Sequence, residues 1–297
     1  MATTTHTTRR AARIPATSGM GVFGRYFANS IVFVLLFIVS LVMLAPIIWT
    51  LSTSLRLPRE SFTLPPKWLP TDFRIDNYTQ VFARVPFFWK YFFNSAFVSA
   101  AVVVGQLVTC SMAAYAFARL RFPGRGILFT MILSALMVPI QATIIPVFIE
   151  IKYLHLSNSL WSLILPGVTS AFGVFLLRQY FLTIPSELED AARIDGANQW
   201  EIFSRIMLPL VTPALSVLAI LTFNGYWNEY FRPLIFLNTP DNYTLPLGLV
   251  NLRGQFGSGS IAIVLAGVIL SLLPVLIAYI FAQKYLIEGI AAGAVKG

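Results

Sequence analysis

This chain is short of the residues from which most active sites are built. Its 297 residues include one cysteine and two histidines, and only 11% of them are charged. A single cysteine, Cys110, excludes a disulfide framework and a thiolate metal centre. His6 falls in an N-terminal tail and His155 in a loop, so no metal or nucleophile site assembles around histidine. There is no Gly-x-x-x-x-Gly-Lys-Ser/Thr stretch and no Gly-Lys pair, which excludes a P-loop for nucleotide phosphates. Acid is scarce as well: 12 Asp and Glu stand against 21 Lys and Arg, for a net charge of +9. The basic residues are scattered among loops rather than gathered into a reading surface, so no nucleic acid is implied, and membrane phospholipid is a sufficient counterpart.

Apolar residues are what the chain has in excess. They make up 57% of it, with mean hydropathy +0.75, far above a soluble domain. Uncharged windows run Tyr26–Leu55, Tyr91–Ala118, Gly126–Ile149, Tyr153–Leu177, Ile206–Asn228 and Gly254–Gln283. A membrane-spanning helix needs about 20 apolar residues, because hydrocarbon offers the backbone no external partner. Each window is long enough, so the expectation is an all-α membrane protein with six spans. Six buried helices of a soluble protein are excluded, since too little chain remains to cover them.

The first 25 residues hold four arginines and no acid, and the apolar run that follows is too long for a secretory signal. They read as a cytoplasmic tail, residues 1–25, although an organellar transit peptide has a similar composition. Six spans over residues 26–288 then return the C-terminal tail, residues 289–297, to the cytoplasm. The linker carrying Arg119, Arg121 and Arg125 lies inside in this orientation, as the positive-inside rule prefers. The loop from Arg56 to Lys90, rich in proline and aromatics, is expected to fold against the outer face. Asn251–Ser260 reads as a glycine-rich linker, its spacing wrong for a phosphate loop.

The scarce acid is concentrated between Ile184 and Pro213. Glu187, Glu189, Asp190, Asp195 and Glu201 lie there, with Arg193 and Arg205. Ser186 with Glu189 has capping-box spacing, as does Asn198 with Glu201, and Gly196 stands between them. The pattern predicts a short helix, a glycine corner and a second short helix. Leu188, Ala191, Ala192 and Asp195 would share one face of the first helix, its paired alanines allowing close approach of another surface. Acids in the first turn also suit the helix dipole, so loop stability and docking both remain open explanations.

The run EDAARIDGA, followed by Phe203, Ile206, Leu208, Pro209 and Pro213, resembles the EAA motif in permease subunits of bacterial ATP-binding-cassette (ABC) importers. LPGVTSAFGVFLLRQYF before it, WNEYFRPL after the fifth window and the terminal GIAAGAVKG extend the resemblance over nearly the whole chain, to the MalG-type carbohydrate permeases. The resemblance implies the type I importer permease fold, with residues 185–213 as a cytoplasmic coupling-helix loop. Glu189, Asp190, Ala191, Ala192, Asp195, Gly196, Ala197 and Phe203 would couple it to an ATPase. Asp190 replaces the family's leading Glu, and Glu189 beside it is a candidate to share its role. It also implies a second, homologous permease subunit, two ATPase subunits that bind Mg-ATP, and an extracytoplasmic solute-binding protein, at the bacterial inner membrane with both termini cytoplasmic. No cofactor or metal belongs to this chain in that scheme.

Asn224, Asn228, Glu229 and Arg232 crowd the end of the fifth window. Polar groups there either border a solute pathway or, for Glu229 and Arg232, form an ion pair at the membrane edge. Asn94, Gln106 and Gln141 could likewise line a path or bond neighbouring helices. Six spans could also be half of a secondary transporter, but the windows hold almost no ionisable residues for ion coupling. A phosphoglycerol-type ABC permease is the nearer alternative.

Overall fold

Polar backbone can enter a bilayer only if it bonds within its own segment, and the chain meets that demand with helices throughout. In a computed structural model, residues 22–57, 60, 68–70, 72–253 and 260–294 are described, and no strand occurs among them. The N-terminal tail to residue 21, most of the proline-rich stretch 58–67 and the glycines of 254–259 lie outside the described residues. The chain divides into residues 1–50 and 51–297.

Helix α1, Val22–Ser54, begins four residues ahead of the first uncharged window and carries Pro46 without breaking. Ser30, Ser40 and Thr50 donate their hydroxyls to the carbonyls of Tyr26, Leu36 and Pro46 at 2.7 to 2.9 Å, which hides each polar group against its own helix.

The second unit opens with α2, Asp76–Arg84, whose buried Asn77 donates to the carbonyls of Ser54 and Arg56, 2.8 Å each. Helix α3, Phe88–Arg119, is its central column. Helix α4, Arg125–Ala135, and α5, Ile140–Tyr153, follow it; then α6, Trp161–Ile164, a 3-10 turn and α7, Ala171–Thr183. Helix α8, Glu187–Ile194, α9, Gln199–Glu201, a π-helical turn Ile202–Met207 and α10, Leu208–Leu210, form the acidic loop. Helix α11, Thr212–Trp227, the short α12, Phe231–Phe236, and α13, Leu245–Leu249, lead to α14, Ile261–Ala294. Helix α14 continues through residues 289–294 of the C-terminal segment, well past its apolar part Ile261–Ile280.

Helices α7 and α11 pack on α3. A Cβ at Gly173 of α7 would come within 2.9 Å of the Cys110 sulfur, so only glycine permits this approach. Cys110 is fully buried there, a small apolar filler in the core. The side chain of Gln106 donates to the Gly167 carbonyl at 2.8 Å and accepts from Thr222 at 2.8 Å, joining α3 to the 3-10 turn and α11. Asn94 donates to the carbonyls of Tyr243 and Asp241.

Four helical segments among the described residues are long and apolar enough to cross a bilayer: Asn29–Ser54, Phe88–Arg119, Trp161–Thr183 and Ile261–Ile280. Two bent pairs bring the number to six if each is one span. The third window is not the straight helix its composition predicts: α4 and α5 meet at 103°. Pro139 explains the break, since it removes a donor and its ring pushes the preceding residue out of the helical region. The fifth bends by 74° between Leu210 and Thr212, where Val211 leaves helical geometry just before Pro213.

Candidate functional site

The acidic loop folds as two short helices about a glycine corner, but one of its two anticipated caps is absent. Ser186 has helical backbone angles and makes no side-chain cap bond. A capping residue needs non-helical backbone angles, which Ser186 lacks, and Glu189, the second half of the anticipated box, faces other partners. Its carboxylate faces Arg119 Nε at 3.1 Å and Arg193 at 3.2 Å, and its side chain is only 5% exposed. The backbone starts α8 unaided, with the amides of Glu189 and Asp190 donating to the Ser186 carbonyl.

The buried face of α8 is Glu189 and Ala192, so of the four residues expected to share a face open to another surface only Ala192 turns inward. Leu188, Ala191 and Asp195 point outward, and Asp190 is 65% exposed, paired with Arg193 at 2.7 Å. Ile194, 87% exposed, ends the helix.

Gly196 adopts φ +86° at the corner. The Ala197 amide donates to Ala192 at 2.9 Å and the Gly196 amide to Arg193 at 3.1 Å, the paired bonds of a Schellman stop. Asn198 then caps α9: its Oδ1 accepts from the amides of Trp200 and Glu201, and Glu201 Oε2 accepts from the Asn198 amide, all at 3.0 Å. The helix widens into the π turn before Pro209, whose ring would crowd the Arg205 carbonyl in a regular α-helix.

Phe203 turns inward. It is 5% exposed, with its ring centroid 5.1 Å from Tyr115 and 5.4 Å from Trp200, while Gln199 donates to the Tyr115 hydroxyl. Ala192 and Phe203 thus hold the loop to the body of the fold. The outward surface is Leu188, Ala191, Ile194 and Trp200, rimmed by Glu187, Asp190 and Asp195. Exposed apolar side chains inside an acidic rim suit contact with another protein. Ile194 and Trp200 lie outside the face marked by the spacing of Leu188, Ala191, Ala192 and Asp195, Trp200 because it stands on α9, beyond the corner.

Behind this surface a polar cavity of about 790 Å³ opens between α8 and the α3–α4 linker, lined by Arg119, Arg121, Arg125, Ser186, Glu189 and Arg193 among others. Arg178 on α7 lies over the Phe129 ring at 4.1 Å and donates to the Phe117 carbonyl, which ties α4 to the same corner.

The far end of α11 holds the second group of candidates. Leu221, Asn224, Gly225 and Asn228 form one exposed stripe at helical spacing. Asn228 donates to the Asn224 carbonyl at 2.9 Å and its side-chain oxygen at 3.0 Å. Glu229 is held by two hydrogen bonds from Arg232, which also lies 4.7 Å from the Tyr226 ring centroid. Burial alone would lower the Arg232 pKa, but Glu229 and Tyr226 more than offset it, and the pKa stands above the ordinary arginine value. Glu229 is thus tied into an ion pair, while the two asparagines are open.

Comparison with known proteins agrees with this architecture. Residues 105–287 match the family model described as binding-protein-dependent transport system inner membrane component. The arabinooligosaccharides transport system permease protein AraQ of Halalkalibacterium halodurans is 40% identical over 77% of this chain and 81% of its own length. The galactooligosaccharides transport system permease protein GanQ of Bacillus subtilis is 32% identical over 92% and 97%. Among solved structures, a chain of a bacterial ABC transporter involved in the import of the acidic polysaccharide alginate is similar at TM-score 0.77 and 27% identity, covering 91% of this chain and all of that one. A fold of apolar helices, a helix–glycine–helix loop rich in acid and a family match over more than half its length lead to one assignment: this chain belongs to the binding-protein-dependent transport system inner membrane components, the permease subunits of ABC importers.

Proposed function

We propose that this chain supplies half of the membrane pathway of an importer for an oligosaccharide, and that residues 185–213 receive the movement of a separate ATPase. The observation that carries the reading is the outward surface of Leu188, Ala191, Ile194 and Trp200, held rigidly by Ala192, Phe203 and the Gly196 corner. A loop with no partner would gain nothing from presenting isoleucine and tryptophan to water.

Two ATPase subunits bind Mg-ATP, one of them seated on this loop, and a second related permease completes the pathway along the Asn224–Asn228 stripe. An external solute-binding protein delivers the solute to the face opposite the loop, which leaves both termini in the cytoplasm. Oligosaccharide is the favoured cargo because AraQ and GanQ carry such sugars in their names, and the spans lack the charges that phosphorylated solutes would require. Reconstitution of the permease pair, ATPase and binding protein in proteoliposomes tests the reading. ATP hydrolysis should rise on adding an arabino- or galacto-oligosaccharide with the binding protein, and no response across a panel of oligosaccharides would overturn the assignment.

A further inference from the structure

A carboxylate in a docking loop belongs in water, yet Glu189 is 3% exposed. Its partner Arg119 is the last residue of α3, with a side chain only 12% exposed. Arg119 Nε stands 3.1 Å from Glu189, and the Nη2 of the same guanidinium donates to the carbonyls of Phe181, at 2.5 Å, and Ile184. Those carbonyls close the C-terminus of α7, where a helix runs out of its own donors. One side chain thus joins three elements: the end of α3, the end of α7 and the coupling helix α8.

The turn before Arg119 repeats the pattern. Tyr115 accepts from Gln199 of α9 and packs against Phe181 at 5.6 Å and Phe203 at 5.1 Å. Further along α3, Gln106 and Thr109 donate to the carbonyls of Gly167 and Val168. Helix α3 is therefore pinned to the loop at one end and to the segment before α7 along its length.

Burying two charges contributes little net stability, because desolvation offsets their attraction. The pair is better explained by the placement it enforces: Nη2 of the planar guanidinium donates to two carbonyls while Nε holds its charge 3.1 Å from the carboxylate, a close ion contact rather than an aligned hydrogen bond, and the fixed fork sets the two ends at a distance that a single lysine nitrogen does not reproduce. We propose that Arg119 and Glu189 are the fastening through which movement of α8 passes to α3, positioning residues for transport rather than contacts with the ATPase. Of the two adjacent acids, Asp190 is the one left for a partner. The inference rests on the reading of residues 185–213 as the ATPase contact.

The test uses the assembled importer in proteoliposomes, with Cys110 replaced by Ala and spin labels at Ser186→Cys, at the start of α8 and outside the docking surface, and Val104→Cys on α3. Both positions are exposed. With the fastening intact, the label-to-label distance should keep one narrow distribution whether or not a Mg-bound non-hydrolysable ATP analogue is present. In Glu189→Gln and in Arg119→Lys the distribution should broaden on adding the analogue, and solute moved per ATP should fall about tenfold while basal hydrolysis persists. The double variant should be no worse than either single one, since both remove one link. A purely structural role would lower the yield of complex and leave the solute-to-ATP ratio unchanged.

A nucleotide-dependent distance in the unaltered pair would overturn the proposal, as would narrow distributions and a normal ratio in both variants. If Glu189→Gln does not assemble, Arg119→Lys, which keeps charge and bulk, decides alone. The docking reading is judged separately, in a preparation labelled at Ile194→Cys alone: a label whose mobility ignores added ATPase would sink it, while the fastening is still read from the distance between the other two labels.

Discussion

The Thr222 hydroxyl donates to Gln106 Oε1 at 2.8 Å, across the contact between α11 and α3. Gln106 spends its other end on the Gly167 carbonyl, so both polar groups of a side chain in the apolar interior are satisfied. It is a helix tie rather than a free group on a pathway. Gln106→Leu should lower stability by about 1 kcal/mol, the scale of interhelical hydrogen bonds in membranes, and by more if Thr222 finds no other acceptor. The thermal midpoint of detergent-solubilised protein reads this.

Gly196→Val should leave membrane insertion intact and reduce ATPase association and uptake together. Nothing lies within 4 Å of a Cβ at this position, so crowding is not the cause. The cost is the positive φ, about 1 kcal/mol or more for a β-branched residue. Gly196→Asn, which tolerates that region, should retain most of the association in a co-purification assay.

Phe203 and Trp200 are neighbours with opposite duties. Phe203→Ala removes a buried ring and should destabilise the loop by about 3 kcal/mol or more, exposing residues 198–207 to faster amide exchange. Trp200→Ala, at a side chain 62% exposed, should leave exchange unchanged but weaken ATPase co-purification.

Asn224→Ala and Asn228→Ala should reduce uptake while assembly stays normal, because both side chains are exposed and Asn228 bonds only within its own helix turn. Glu229→Gln should instead cost stability, since it weakens the partly buried pair with Arg232. Uptake rates normalised to complex recovered from the membrane separate the two effects. Wild-type uptake from both asparagine variants would assign the stripe to packing.

Much of the architecture was legible because hydrocarbon imposes one rule on length and another on charge. The windows around α1, α3 and α14 fall where helices stand, and the Asn198 box and Gly196 corner form as their local chemistry dictates. What stayed hidden depends on contacts distant in sequence. Ser186 and Glu189 have perfect cap spacing, but Arg119, seventy residues upstream, draws the carboxylate away. Phe203 carries a motif letter, and nothing local says that Tyr115 buries it. The break at Pro139 was visible as a proline yet was passed over, because an uncharged window measures composition and not direction.

That break divides the third window into two limbs that do different work. The limbs Arg125–Ala135 and Ile140–Tyr153 are each too short to cross a bilayer about 30 Å thick. The apolar length needed for a crossing is present only when the two are taken together, and no straight 20-residue rod forms from them. The first limb is held in place by the stacking of Arg178 on Phe129, and Arg178 is synthesised about fifty residues later. The third window thus presents two short limbs rather than one rod, and the first of them leans on a helix that lies later in the chain.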